Sequence, residues 1–456
     1  MKKVRLIATA LFLVSSLWAA AQDADNRWTL QEAIDYAWKN NIQVKQSELM
    51  VWNNELNLRQ ARMNRLPNLN ANTSFNNNVG RSIDPFTNTV VDQDLSSQSY
   101  GLNSSVTLFN GLGQHYTVQQ NKANVEKSEF DLQTQRNNTA LSIANQFLNV
   151  LLAQEQLKSA QLSLETSKLQ YDRTKKQVEA GSLANQNLLQ ADQQVASDEV
   201  NLISAENSLD LARLLLKQAL QLPAATPFEI ETPVIDDPTA DELEDLDLEA
   251  VYQSALRLPE VKSAEAQIES SKFGILIARA SYLPSLSLSG ALRTSYSTAA
   301  PDQFPDPNSP TGFKENTYMN QLDFNLARGV GLTLSIPIFN RFQVRTNVGL
   351  AKLNEENAKY GYTNTKNVLR QNIEQSYYNA RAAAKTFIAT KRQVESLQES
   401  YRNIEHRFNL GAANSVEYNQ VKNDFNRAQN DLIRSKYDFI FKQKVLDFYQ
   451  GKPLTL

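Results

Sequence analysis

The side chains that most often perform catalysis are sparse in this 456-residue chain, which contains two histidines and no cysteine. His115 and His406 do not stand beside an acid and a nucleophile in a recognisable catalytic arrangement. The sequence also lacks G-x-S-x-G, H-E-x-x-H and a glycine-rich phosphate loop. Without cysteine, thiol catalysis, Cys-ligated zinc and lipid attachment to an N-terminal cysteine are excluded. We therefore expect no enzyme, no cofactor and no metal site.

Residues 1–21 have the three regions of a secretory signal peptide. Lys2, Lys3 and Arg5 form a basic start, a mainly apolar run follows to Trp18, and three alanines precede Gln22. The run is too short for a membrane-spanning helix, and no later segment offers about 20 continuous apolar residues. Loss of this segment would change the net charge from −3 to −6. That charge indicates no strong attraction to nucleic acid.

The rest of the chain contains an internal duplication. The segment "ARMNRLPNLN" (61–70) matches "ARASYLPSLS" (278–287), and "LFNG" (108–111) matches "IFNR" (338–341). The second offset also aligns Gly181 with Gly411. Chance matches would not hold one register over such distances. We predict a first repeat over 22–221, an acidic linker over 222–245 and a second repeat over 246–456.

Each repeat has the same predicted order of elements, because apolar residues recur at helical spacing except in two segments that alternate. Leu-Pro at residues 66–67 and 283–284 marks where the first helix of each repeat ends. In the first repeat we predict a helix over 29–66, strands over 68–77 and 99–109, a long helix over 114–180 and a helix over 184–221. In the second we predict a helix over 247–282, strands over 285–296 and 318–339, a long helix over 343–409 and a helix over 414–450.

The alternating segments predict strands with one apolar and one polar face. Leu286, Leu288 and Leu292 share one face, while serines and Arg293 share the other. The same pattern runs from Tyr100 to Leu108 and from Leu322 to Ile338. A sandwich sheet with its apolar face inward is one interpretation. A membrane barrel with its apolar face towards lipid is the other, and the signal peptide favours it.

Four strands cannot close a barrel, and open sheet edges are not viable in lipid. Several chains must then share one barrel, and three chains with 12 strands form the smallest cyclic ring with a usable lumen. The predicted helix 114–180 would measure about 100 Å. From Leu188 onward, large and small apolar residues alternate in steps of three and four, interrupted by Asp198. This seam suits an antiparallel coiled coil extending from a barrel, although a filamentous coiled-coil tether would carry it too.

These features together resemble the TolC family of outer membrane efflux proteins. The resemblance rests on the duplicated halves, Leu-Pro before a strand, "LFNG" after one, and a glycine-centred turn followed by a Leu and Ala seam. It implies a mixed α and β membrane protein. In that family a trimeric 12-stranded β-barrel, with four strands per chain, continues into a long antiparallel coiled-coil α-helical tunnel across the periplasm. The 222–245 linker would then form an equatorial belt.

The family comparison also assigns roles to individual positions. The helix-hairpin turns, with the surface that an adaptor would grip, correspond to Gly181, Ser182, Leu183, Gly411, Ala412 and Ala413. The periplasmic gate or constriction corresponds to Asn187, Gln190, Phe408, Glu417 and Gln420. The transitions from barrel to tunnel correspond to Pro67, Phe109, Gly111, Pro284 and Phe339.

The gate positions depart from the family pattern. Asn187 stands where the family usually has aspartate, so an acidic constriction would depend on Glu417 alone. Phe408 and Ala413 replace the tyrosine and arginine whose hydrogen bonds hold the tunnel shut in the best-known members. Closure must therefore use other contacts. Glu417 could equally be a solvated carboxylate at the start of a helix, where the helix dipole favours it.

The resemblance implies a passive outer membrane exit duct of a tripartite efflux system. Its partners would be two further copies of the chain, a periplasmic adaptor, an inner-membrane transporter and outer membrane lipid. An outlet of a type I protein secretion system would share every feature described above. A structural coiled-coil protein of the envelope that conducts nothing is a second alternative, from a different functional class. The sequence does not identify the substrate. Metal export is less favoured, because four methionines and two histidines are too few to line a relay.

Overall fold

The protein is described by a computed structural model over residues 27–83, 88–92, 94–223, 225–233, 246–452 and 454. The predicted signal peptide and most of the acidic linker lie outside these residues. Within them, the helices are α1 (Leu30–Asn40), α2 (Ile42–Met63), α3 (Gly113–Glu179), α4 (Asn185–Leu220), α5 (Leu248–Ala255), α6 (Pro259–Ala280), α7 (Tyr318–Phe324), α8 (Gln343–Asn409) and α9 (Ser415–Tyr449). The strands are β1 (Arg27–Trp28), β2 (Asn70–Asn78), β3 (Arg81–Ile83), β4 (Val90–Asp92), β5 (Leu95–Asn110), β6 (Glu229–Ile230), β7 (Ser285–Ser297), β8 (Gln303–Pro305), β9 (Phe313–Glu315) and β10 (Ala327–Ser335).

The helix predicted over 29–66 is two helices, because Asn41 interrupts it. Asn41 has an extended backbone, and its side-chain oxygen accepts a hydrogen bond of 2.9 Å from the Gln43 N–H. One side chain thus ends α1 and caps the first turn of α2. The equivalent prediction over 247–282 is corrected in the same way. Pro259 begins α6, where its missing N–H costs nothing, and a break separates it from α5.

Four strands form one antiparallel sheet in the order β10-β7-β5-β2. Residues on neighbouring strands lie opposite one another, for example Leu102 opposite Leu292 and Leu292 opposite Arg328. A β-bulge between Thr107 and Phe109 places Phe109 opposite Leu286. The predicted alternation through Leu108 is therefore wrong at its last step, because the extra residue reverses the parity. Strands β2 and β10 each have one edge that pairs with no other described strand.

The strand predicted over 318–339 is wrong at both ends, because β10 spans only Ala327–Ser335 and the first third of the predicted range forms α7. Beyond Arg293, β10 no longer pairs with β7. Side-chain amides of this segment form hydrogen bonds with the backbone groups of β7 there. Gln321 accepts a 2.9 Å hydrogen bond from the Ser297 N–H and donates one of 3.1 Å to the Ser297 carbonyl. Asn325 donates a 2.7 Å hydrogen bond to the Ser295 carbonyl. The sequence pattern did not reveal α7, because a segment of seven residues is too short to distinguish the helical period from the strand period.

The chain divides into two compact units that do not follow the tandem repeats. One contains Phe130–Lys262, the described residues up to Leu49 and those from Asn364 onward; the other contains Met50–Glu129 and Ser263–Thr363. Each unit therefore takes matching pieces from both repeats. In the first unit, Ile34 of α1, Phe147 of α3 and Leu216 of α4 belong to one buried core. In the second unit, the main feature is the four-stranded sheet.

Helices α3 and α8 are 67 residues long each, and α4 and α9 have 36 and 35 residues. Small and large side chains alternate where α8 packs on α9, with Ala380 and Ala384 beside Phe387, Phe439 and Leu446. This alternation lets the two helices approach closely. No helix in the described ranges combines the length and the apolar character needed to cross a membrane.

Candidate functional site: the paired helix turns

Gly181 and Gly411 reverse the chain after the two longest helices. Their φ angles are 73° and 75°, in the left-handed region, and no atom lies within 4 Å of a Cβ added to either. The Ser182 N–H donates to the Gln177 carbonyl at 2.9 Å, and the Ala412 N–H donates to the Arg407 carbonyl at 2.8 Å. These bonds satisfy carbonyls at each helix end and are typical of a glycine C-cap. Glycine is needed here for its backbone angle and not for space.

The helices that follow the two turns begin differently. The Asn414 side chain accepts a 2.8 Å hydrogen bond from the Glu417 N–H at the start of α9. Ala184, at the matching position before α4, provides no side-chain cap. The start of α9 is therefore better capped than the start of α4, since a capping side chain is worth about 1 kcal/mol.

Phe408 belongs to an aromatic cluster between α8 and α9. Its ring stacks on Tyr418 with centroids 4.8 Å apart, and Tyr401 stacks on Phe425 at 5.4 Å. The hydroxyls of Tyr401 and Tyr418 are 3.1 Å apart, and Tyr418 is only 3% exposed. Burial, helped by the contact with Tyr401, raises the pKa of Tyr418 well above its ordinary value. Both phenols are therefore neutral hydrogen-bonding groups at physiological pH.

Glu417 is paired within its own chain. Its carboxylate lies 3.3 Å from the Arg407 guanidinium, which also donates to the Ala412 carbonyl at 3.3 Å. Both side chains are about half exposed. Arg407 offsets the negative charge that the sequence suggested for a constriction. The partner was missed because it lies on the other side of the turn, ten residues away.

Polar contacts join the hairpin of α3 and α4 to the hairpin of α8 and α9. The Ser415 hydroxyl, which is nearly buried, donates to the side-chain oxygens of Asn187, at 3.0 Å, and Gln190. Arg173 donates to the Asn409 side chain at 2.6 Å. These contacts involve two of the positions predicted for the gate, Asn187 and Gln190. They do not include Gln420, whose amide donates to Asp424 on its own helix at 3.0 Å.

A buried ion pair lies deeper between the same hairpins. Lys422 of α9 donates to the Ser167 hydroxyl of α3 at 2.5 Å, and its nitrogen is 3.4 Å from the Asp198 carboxylate of α4. Ser167 also donates to Asp198. Burial lowers the pKa of Lys422, and the Asp198 charge partly opposes that effect. Sequence reasoning missed Lys422, although Asp198 was visible as the one charge that interrupts an apolar seam.

The surface at the tip of the two turns is exposed and partly apolar. Gly181, Ser182, Gly411 and Ala412 are exposed, and Leu183 and Ala413 are partly buried. Leu410 and Val416 are 70% and 63% exposed. Two large apolar side chains are therefore exposed beside the small residues of the second turn.

The predicted transition residues lie near the ends of the sheet strands. Pro67 precedes β2, Pro284 precedes β7, and Phe339 is exposed after β10. Phe109 is the second-last residue of β5, and Gly111 follows that strand with φ 64°. A Cβ on Gly111 would lie 2.5 Å from the Ala280 carbonyl oxygen. This site therefore requires glycine for both angle and space. The matching position in the second repeat is Arg341, which adopts φ 52°.

No group of three His, Asp or Glu side chains is placed to hold a metal ion in the part of the chain that the structure describes. His115 packs edge-on against Tyr116, with ring centroids 5.6 Å apart. The polar contacts at the two turns link the helices of the two hairpins to one another.

A family model described as outer membrane efflux protein matches residues 33–221 and 250–451. The chain is 24% identical over 329 residues to the pyoverdine export outer membrane protein OpmQ of Pseudomonas aeruginosa, covering 72% of this chain and 64% of that protein. It is 24% identical over 338 residues to the outer membrane protein TolC of Escherichia coli, with the same coverage. The chain thus spans slightly less than two thirds of the length of these curated relatives.

The fold is similar to that of a solved structure of CusC, described as concerned with folding and transmembrane channel formation. The TM-score is 0.76 at 18% identity, covering 93% of this chain and 92% of that one. A likeness at this identity concerns the fold alone, and it confirms the predicted mixed α and β fold.

Proposed function

The chain belongs to the outer membrane efflux protein family, and we propose that it is a passive exit duct of a tripartite efflux system. Family membership confirms the predicted outer membrane location. In the proposal, an inner-membrane transporter supplies the driving force through a periplasmic adaptor, because the chain contains no phosphate-binding motif of its own. The chain acts as a conduit and performs no chemistry on its substrate.

The observation that carries this proposal is the open four-stranded sheet. One of its faces is mainly apolar and the other mainly polar, and β2 and β10 each have an edge that pairs with no other described strand. A membrane barrel needs every edge paired, apolar side chains towards lipid and polar side chains towards water. Three copies joined edge to edge, β2 of one to β10 of the next, would satisfy all three requirements with 12 strands.

The paired helix turns are proposed as the adaptor-docking end and the gate. Ser182, Leu183, Ala412 and Ala413 flank the exposed turn surface. The contacts of Ser415 with Asn187 and Gln190, and of Arg173 with Asn409, would hold the hairpins in a closed position. They take the place of the tyrosine and arginine bonds that Phe408 and Ala413 cannot make. Opening would require these few polar contacts to break, while the core around Phe147 stays packed.

Single-channel recording in planar bilayers tests the proposal. The full-length protein and a Ser415→Ala, Arg173→Ala double variant should both insert, and the variant should conduct more often because it lacks the inter-hairpin contacts. Ser208→Ala is a matched control, since this exposed hydroxyl bonds only to its own helix. Protein that inserts and never conducts, even as the double variant, would favour the non-conducting envelope protein instead. Crosslinking at Ser182 and Ala412 in cells would identify the adaptor, and a secreted polypeptide captured with it would indicate protein secretion.

A further inference from the structure

The strand register defines the two faces of the sheet residue by residue, since paired residues point to the same side. Leu102, Leu292 and Arg328 form one row across β5, β7 and β10. Val106, Leu288 and Leu332 form another row on the same face. This is the apolar face. The opposite face contains the row Asn72, Gly101, Arg293 and Ala327, which crosses all four strands.

The opposite face is polar but almost uncharged. Apart from Arg293 and the buried Leu95, which pairs with Asn78, its side chains in the register of the four strands are amides, hydroxyls and small residues. They are Asn70, Asn72, Ser74, Asn76 and Asn78 on β2, Ser97, Ser99, Asn103, Ser105, Thr107 and Asn110 on β5, Ser285, Ser287, Ser289, Ala291, Ser295 and Ser297 on β7, and Ala327, Thr333 and Ser335 on β10. Arg293 is thus the one charged side chain among the strand residues described on this face.

The described residues around Arg293 provide no counter-charge. It is exposed, and its cross-strand neighbours are Gly101 and Ala327, which offer no polar side chain. A Cβ on Gly101 would lie 2.7 Å from the Asn72 amide oxygen, so this neighbour must stay small. No acidic side chain in the described ranges forms an ion pair with Arg293. Arginine stays protonated at any physiological pH, so the positive charge is permanent.

We propose that Arg293 makes the barrel lumen prefer anions over cations, and that the solutes suited to this duct are neutral or anionic, such as those carrying carboxylate or phosphate groups. The inference rests on the proposed function, which directs the polar face towards the lumen. Three copies of the chain would place three Arg293 guanidinium groups in a ring within an otherwise neutral wall. Rings of fixed charge set selectivity in pores by raising the local concentration of the opposite ion.

The chain offers a matched control for this charge. Arg328 lies in the neighbouring register row, opposite Leu292, and therefore points to the apolar face. It has the same charge at nearly the same height along the strands, but on the side that would meet lipid. Neutralising either arginine removes one positive charge per chain, but only the change at Arg293 should alter the charge that lines the lumen.

The experiment measures the reversal potential of the full-length protein in planar bilayers across a KCl gradient. All variants are recorded in the Ser415→Ala, Arg173→Ala background so that opening is equal. Arg293→Gln should lower the chloride-to-potassium permeability ratio by about twofold or more, and Arg293→Glu should lower it further. Arg328→Gln should leave the ratio unchanged.

Conductance with an unchanged ratio in both Arg293 variants would overturn the inference and leave the proposed duct intact. A shift with Arg328→Gln in place of the Arg293 variants would overturn the assignment of the faces. Insertion without any conductance would overturn the proposed function, and this inference with it.

Discussion

The Asp198 carboxylate and the Lys422 ammonium lie 3.4 Å apart, with 3% and 4% of their side chains exposed. Ser167 of α3 contacts both, so three helices from the two hairpins meet at one polar point. A buried pair of this kind is costly to break, because removal of one partner leaves an unpaired charge away from water. The pair therefore fixes how α4 and α9 align, and it does so next to the proposed gate.

Asp198→Asn should lower the midpoint of thermal unfolding, measured by circular dichroism, by roughly 5 °C. The physical reason is that Lys422 loses its counter-charge in a buried site, at a cost of about 3 kcal/mol. The double variant Asp198→Leu, Lys422→Met should unfold near the wild-type temperature, because it buries no charge at all. Equal losses in the single and double variants would mean that the site contributes through packing and not through charge.

Gly111→Ala should destabilise the protein more than Gly181→Ala, although both glycines have positive φ. Each change brings the cost of a left-handed alanine, about 1 kcal/mol. Only at Gly111 does the new Cβ meet a backbone oxygen, at 2.5 Å from Ala280. Thermal unfolding of the two variants measures the difference. As a control, Arg341→Gly should raise the midpoint of unfolding slightly, since it relieves a strained residue at the equivalent position. Equal losses of stability in the two glycine variants would show that the backbone near Ala280 adapts easily.

Removal of Arg407 should expose the charge of Glu417 at the proposed entrance. Three unpaired carboxylates around one mouth would attract multivalent cations, so Arg407→Gln should increase block of the channel by such ions. Adding Glu417→Gln should abolish that increase. Glu417→Gln alone should change block only modestly, because Arg407 already neutralises the carboxylate at 3.3 Å. Bilayer recordings with hexaammine cobalt measure the block, and equal block in all three variants would return Glu417 to the role of a solvated helix-start carboxylate.

Tyr418→Phe should make the protein more resistant to alkali. Burial raises the pKa of Tyr418, so its stabilising contribution is complete below the pKa of the unfolded chain, about 10. That contribution is lost as pH rises above 10, because the unfolded state can ionise while the folded state cannot. The difference in unfolding temperature between pH 8 and pH 11 should be smaller in the variant. Tyr360→Phe, at an exposed tyrosine of α8, is a control that should retain the wild-type difference.

Much of the fold follows from local pattern. The turns at Gly181 and Gly411 and the two 67-residue helices can be read from glycine placement and helical spacing alone. The exceptions are places where a single polar side chain outweighs the pattern. Asn41 divides a helix, and Gln321 with Asn325 replaces the ladder bonds of β7 so that α7 forms where alternation predicts a strand.

The sequence by itself determined the duplication, the sheet with two unlike faces and the long hairpins, because period and turn chemistry are properties of neighbouring residues. Only the tertiary structure decided which side chains meet across the hairpins. It paired Asp198 with Lys422 and Glu417 with Arg407, and the strand register set Arg293 apart from Arg328. These relationships depend on how far one element slides along another. A shift of one residue in the pairing of a strand moves each of its side chains to the opposite face of the sheet. A shift of one residue along a helix changes which side chains meet.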